Sequence, residues 1–248
     1  MKNSYWFILA VFLLLFSCKK AEDRSCWKSS GAVDTLVYTI SDFDSLRLHE
    51  KLNFELVQSN QPKLEIIGGE NLINLVKLDS LGDVLSISNA NKCAFLRSYK
   101  EAVKVRIHLS SLRYIYTDIS EELSNEGVLT YPNLFLLAHS GAGRIDLNVE
   151  ANRVFLDASY GNVDFNLSGQ LNSLGLSVKS NAYGDTRDLK VKYQIEVFSN
   201  TVGDLHINAE NTNLVKAELI YKGDVYLYGT PIAIEKTIEG EGSLIEGN

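Results

Sequence analysis

The chain is expected to be all-β: a right-handed parallel β-helix, or β-solenoid, in coils of about 20 residues with a β-rich cap at its N-terminal end. Three observations predict this. The composition pairs 12 Tyr, 10 Phe and 17 Gly with only 3 Pro and 1 Met in 248 residues, a mix of strand formers and turn residues. Apolar residues alternate with polar ones along most of the chain, the period of a strand with one buried face. From residue 139 onward a glycine-centred motif returns at near-constant spacing, the mark of a stacked repeat.

The chain begins with Lys2, an apolar run from Tyr5 to Phe16, and then Ser17-Cys18. A charged start, a short apolar core and a small residue describe a secretory signal over 1–17. The run is shorter than the roughly 20 residues that a spanning helix needs. "LFSC" (Leu15 to Cys18) resembles the lipobox of bacterial lipoproteins, which makes Cys18 the expected lipidation site and mature N-terminus. Residues 18–42 are polar and aperiodic and read as the lipidated N-terminus and a tether. Removing 1–17 takes one of 24 positive charges, leaving 23 against 31 acidic groups and shifting the net charge from −7 to −8. No cluster of Lys and Arg stands out, which argues against nucleic acid. The expected partner is a membrane, reached through covalent acyl chains rather than through a basic patch. The expected place is the cell envelope, as an outer-membrane lipoprotein, with its periplasmic or surface face open. Cys26 and Cys93 remain, and an oxidising compartment favours a disulfide between them over two thiols or a metal pair.

Residues 43–248 read as a single solenoid domain, with a capping part at 43–120 and a repeat part at 121–248. In the first part "FDSLRLHEKLNFELVQS" (43–59), "KLEIIGG" (63–69), "DVLSISN" (83–89) and "AVKVRIHLSSLRYIYT" (102–117) alternate. Residues 69–78 fit a short helix or a strand equally well. These strands are expected to cover the open N-terminal edge of the repeats.

The repeat copies are "HSGAGRIDLNV", "SYGNVDFNL", "SNAYGDTRDLKV", "SNTVGDLHINA", "IYKGDVYLYG" and "EGEGSLIEG". Taking Gly143, Gly161, Gly184, Gly203, Gly223 and Gly242 as the corners gives spacings of 18, 23, 19, 20 and 19. Each corner is followed by alternating residues such as Ile145/Leu147/Val149 or Leu205/Ile207, and a second alternating run separates the copies. A glycine there supplies either a positive φ or a close approach between coils. A sandwich of consecutive hairpins is the rival fold; the glycine period favours the solenoid.

The order of features is a lipobox, "FDSLRLHEKLNFELVQ", an "ENL" segment, "KVRIHLSSL", glycine-centred copies, "YKGDVYLYGTP" and "EGEGS". It resembles the GIN-type head domain of auto-transporter adhesins, over about 43–248. The resemblance implies a β-helical fold and an adhesive or structural role at the cell surface. It supplies no catalytic residue.

The residue patterns point the same way. Asp146, Asp164, Asp185, Asp204 and Asp224 follow corner glycines, but calcium β-rolls need two Gly-x-Asp turns nine residues apart, and here one falls per coil. They read as turn residues. His49, His108, His139 and His206 have no short metal-ligand spacing, and Ser140 in "HSGAG" lacks the first glycine of a nucleophile elbow. No cofactor is implied. Tyr114, Tyr116, Tyr226 and Tyr228 are the candidate binding aromatics, able to offer flat apolar area with a hydroxyl to a glycan or a surface protein; ordinary strand filling explains them too. The expected function is non-catalytic adhesion or interaction, with a surface glycan-active enzyme or a purely structural envelope protein as alternatives. The sequence leaves the oligomeric state open.

Overall fold

A computed structural model describes residues 29–91 and 102–247. The predicted signal, the expected lipidation site Cys18 and the cysteines Cys26 and Cys93 lie outside the described residues. Among the described residues nineteen strands build a β-solenoid of about seven turns and the strands that close it, with coils about 20 residues apart.

In chain order the strands are β1 (Val33–Thr39), β2 (Ser45–Leu48), β3 (Asn53–Gln58) and β4 (Lys63–Gly69). A four-residue helix α1 (Glu70–Ile73) follows, then β5 (Val76–Leu81), β6 (Val84–Asn89), β7 (Lys104–Leu109), β8 (Tyr114–Thr117) and β9 (Glu122–Glu126). The repeats begin with the long bent strands β10 (Leu129–His139), β11 (Arg144–Ser159) and β12 (Asp164–Ser180). They continue as β13 (Gly184–Thr186), β14 (Leu189–Thr201), β15 (Leu205–Asn208), β16 (Leu214–Leu219), β17 (Val225–Tyr228), β18 (Ala233–Ile238) and β19 (Leu244–Gly247). The ambiguous stretch 69–78 thus divides into α1 and the start of β5.

These strands stack into two walls. One runs β6, β2, β8, β10, the second half of β11, the second half of β12, β14, β16 and β18, all parallel. The other runs from β7 through β3, β9, the first halves of β11 and β12, then β13, β15, β17 and β19, again parallel. Antiparallel strands close the N-terminal end: β5 lies on β6, and β4 lies on β7 with β1 outside it. The capping role therefore falls to β4 and β5, together with β1, which lies in the stretch 18–42 read as a tether. The rest of the predicted cap is itself solenoid, with β2–β3 threaded between the β6–β7 coil and the β8–β9 coil.

The walls face each other across one continuous apolar core. In β11 the inward residues are Ile145, Leu147 and Val149, and after the bend they are Val154, Leu156 and Ala158. The alternation changes phase by one residue at 150–153, which is what a corner requires of a strand that must keep its apolar side inward.

The opposite corner carries the glycines. A Cβ on Gly161 would stand 2.1 Å from the Gly141 carbonyl oxygen, one on Gly203 2.1 Å from that of Ala182, and one on Gly223 2.2 Å from that of Gly203. Gly242 rests on Gly223 in the same way, at 2.3 Å. Close approach is thus the reason for glycine, and none of these has a positive φ. Left-handed residues stand instead one or two positions before Gly141, Gly161 and Ala182, at Ser140, Tyr160 and Ser180. The ladder runs Gly141, Gly161, Ala182, Gly203, Gly223, Gly242. Gly143 stands two residues past the ladder against the Glu121 carbonyl, and Gly184 opens β13 beneath the Phe165 ring. Those two differ from the corner set read from the sequence.

Candidate functional site

The two tyrosine pairs singled out by the sequence lie on different walls. Tyr114 and Tyr116 project outward from β8, where Tyr114 stacks on Phe135 of the next coil at 5.1 Å. Phe135 in turn meets Phe155 at 6.5 Å, while Arg113 and Arg47 lie over the Tyr114 and Tyr116 rings. Register explains the column, since Tyr114, Phe135 and Phe155 occupy the same position in successive coils. Tyr226 and Tyr228 project from β17 on the other wall. His206 stacks on Tyr226 at 4.9 Å, and its Nδ1 lies 2.8 Å from the Tyr228 hydroxyl. Burial, helped by Asp204, Asp224 and Tyr228, pushes the Tyr226 hydroxyl above its usual pKa. Val225 and Leu227 between them are fully buried, as the alternation predicts. The structure does not bring the two pairs together.

Two of the five aspartates accept from the backbone of the next coil at the corners. Asp204 accepts from the Asp224 N–H at 3.1 Å, and Asp224 accepts from the Ser243 N–H at 2.7 Å, so each ties its coil to the next. Asp185 instead binds Arg187, whose guanidinium is the main reason its carboxyl lies below the usual range. Among the described residues no group of three or more His, Cys, Asp and Glu side chains could hold a metal ion.

The histidines are spread over both walls. His108 is buried with Nε2 3.4 Å from Glu65. His139 is exposed, edge-on to Tyr160. His49 joins three coils, with Nδ1 3.1 Å from Asp118 Oδ2 and Nε2 3.3 Å from Ser86 Oγ. That is the order of contacts in a Ser-His-Asp relay, which sequence spacing of 37 and 69 residues conceals. Catalysis by such a relay also needs donors preorganised for an oxyanion. Here Ser86 sits within a paired strand, with Arg47 and Asp79 as its register neighbours. The contacts link the side chains of three coils.

A cavity of about 910 Å³ is a groove along the corner opposite the glycine ladder. It follows the phase change in each coil and crosses four coils. The floor is the register column Tyr131, Ala151, Leu171, Val191. Tyr131 is buried, which together with Asp42 pushes its hydroxyl up to about 12. One bank is Thr130, Glu150, Gln170, Lys190; the other is Pro132, Asn152, Asn172, Lys192. The pairing of β12 with β14 shifts register between Leu171 and Ser173, so Lys192-Tyr193 forms a bulge that widens this bank. The turn carrying Asn208, Glu210 and Asn211 closes one end. Reasoning centred on the glycine corner missed these residues. The signal was a polar-apolar-polar triplet at constant spacing: Glu150-Ala151-Asn152, Gln170-Leu171-Asn172, Lys190-Val191-Lys192.

Residues 42–231 match the family model described as putative auto-transporter adhesin, head GIN domain. The chain belongs to this family. The GIN domain thus covers all but the last coil and the start of the described chain. Among solved structures it is similar to a putative adhesin from Bacteroides fragilis, with 20% identity, 86% of this chain and 95% of that one covered, and a TM-score of 0.75. A putative adhesin from Parabacteroides distasonis gives 15% identity, coverage of 86% and 96%, and a TM-score of 0.57. A protein from the same species, named a putative lipid binding protein, gives 18%, 87% and 98%, and 0.55. At these identities the likeness shows the fold. Comparison with curated proteins finds no match.

Proposed function

We propose that this GIN domain is a non-catalytic adhesion or interaction module of the cell envelope, held at the outer membrane by acyl chains on Cys18. The observation that supports it most is membership of an adhesin head family on a fold that offers long, outward-facing side-chain columns. A stacked solenoid presents such columns rigidly, so a partner meets a surface that needs little ordering on binding. Beads coated with the full-length protein should adhere to cell or matrix surfaces more strongly than beads coated with an unrelated acidic β-solenoid; equal adhesion would defeat the reading. An alkynyl fatty acid fed to producing bacteria should label the protein and fail to label Cys18→Ser.

The Ser86–His49–Asp118 relay favours one competing reading, hydrolysis at the first wall. A fluorophosphonate probe should leave Ser86 unmodified. Labelling that Ser86→Ala abolishes would move the conclusion to a hydrolase.

A further inference from the structure

We infer that the corner groove binds a linear, uncharged, β-linked glycan lying along the stack, about one sugar per coil. The inference rests on the adhesion reading and names its ligand class and its site.

Shape comes first. The groove is straight because its floor and one bank are register columns, and it is open along its length over four coils. Adjacent strands stand about 4.8 Å apart, so four coils span about 14 Å. That step is close to the rise of one residue in an extended β-linked chain, so each sugar meets the same bank positions as the last. A cavity of about 910 Å³ lies within the range of ligand sites and holds a short oligosaccharide.

Chemistry narrows the class. Among the described residues the side chains of Glu150, Gln170 and Lys190 make no hydrogen bond and no ion pair, so one bank offers acceptor, amide and donor in succession. On the facing bank Asn172 donates to Asn152 at 3.0 Å, which leaves the Asn152 amide N–H groups and the Asn172 carbonyl for a ligand. Planar amides and carboxylates in this arrangement suit the paired hydroxyls of a sugar, and the apolar floor suits its C–H face. Two acidic residues, Glu150 and Glu210, balance Lys190 and Lys192, so the groove has no net attraction for a polyanion or a polycation. A peptide strand cannot extend the sheet here, because Glu150, Ala151, Gln170 and Leu171 are each already paired with both neighbouring coils.

The test uses the full-length protein and calorimetry with neutral oligosaccharides of the β-1,4-glucan, β-1,3-glucan and chitin series, with polygalacturonate as the anionic control. One neutral series should bind, with affinity rising to about four sugars and then levelling, as the groove length requires. The double variant Gln170→Ala/Asn172→Ala should lose about tenfold or more in affinity, while Tyr226→Ala on the other wall stays within about twofold. Glu150→Gln, which keeps size and shape, serves as a second groove variant should the double variant unfold. Failure of every neutral series to bind overturns the inference. So does binding that the groove variants leave intact, or equal binding of polygalacturonate. The bead assay separates the two claims. Adhesion that persists in groove variants without glycan binding removes this inference and spares the adhesion reading. Loss of adhesion by the unaltered protein removes both.

Discussion

Residues 45–126 and residues 129–247 build the same two walls by different means. In the second region chain order is spatial order, and each pairing joins residues 19 to 21 apart, as Arg144 to Asp164, Gly184 to Leu205 and Val225 to Leu244. In the first region Ser45 pairs with Val84, 39 residues away, and with Tyr114, 69 away. The polar stitching differs too. Arg106 binds Glu55, Glu65 and Glu126 from three neighbouring strands, whereas the repeats are held by corner glycines and Asp-to-backbone bonds. The ends contrast most. Antiparallel strands close the first coil, while β18 is exposed along its whole length at the other end. A regular solenoid is a sum of local neighbour terms; the threaded first region makes its coils depend on one another.

The largest test of that contrast is Leu46→Ala against Leu227→Ala. Both side chains are fully buried, so each should cost about 2–5 kcal/mol. Leu46 lies between β6 and β8, and its loss should lower the midpoint of the whole urea transition. Leu227→Ala should reduce hydrogen-exchange protection mainly over 205–247. Equal loss of protection at 45–58 would break the comparison.

Gly203→Ala comes next, at about 1–3 kcal/mol, because the new methyl meets a carbonyl oxygen that belongs to the neighbouring coil. Gly82 has open space but a positive φ of 59°, so Gly82→Ala should cost about 1 kcal/mol. Thermal melts of the two variants should separate in that order.

Acid should act on the first region through Glu55 and Glu65. Burial pushes Glu55 up but Lys104 and Arg106 outweigh it, and Lys63 together with His108 holds Glu65 down, so both carboxyls titrate below 4.5 in the fold. Their contribution is therefore complete above about 4.5 and is lost as pH falls through the lowered values. Glu55→Gln/Glu65→Gln should shrink the acid dependence of the melting temperature between pH 5 and pH 3; an unchanged slope would place the acid sensitivity elsewhere. The smallest effect is expected of Asp224→Ala, about 0.5–1.5 kcal/mol for one hydrogen bond to Ser243, felt only by the last coil.

The repeat half was legible because its rule is local. Inward residues alternate, and a corner recurs wherever one coil must touch the next. The two corners that differ show the limit of that reading. Ladder positions 141, 161, 182, 203, 223 and 242 are spaced 20, 21, 21, 20 and 19, more even than the 18, 23, 19, 20 and 19 of the glycine series. Ala182 takes a ladder place, its carbonyl oxygen meeting Gly203, and Gly184 is glycine for another reason, the Phe165 ring above it. The glycine letter stood for two physical causes. The threaded region was legible strand by strand but not in its order, since alternation says which side faces inward and not which strand lies beside it. The groove was hidden for a related reason: its polar triplets repeat at the corner where no glycine marks the place.

The threading of β2–β3 also bears on force. A molecule held by its N-terminal segment and loaded at its far end is pulled along the chain toward β1. Once β1 parts from β4, the next strand is β2, clasped by β6 on one flank and β8 on the other. It must slide past both neighbours at once, so the coils cannot peel away singly from the tethered side. The weak direction lies at the opposite end, where β18 and β19 each have one neighbour. The stack thus behaves as a latch near its root and as a zip near its tip.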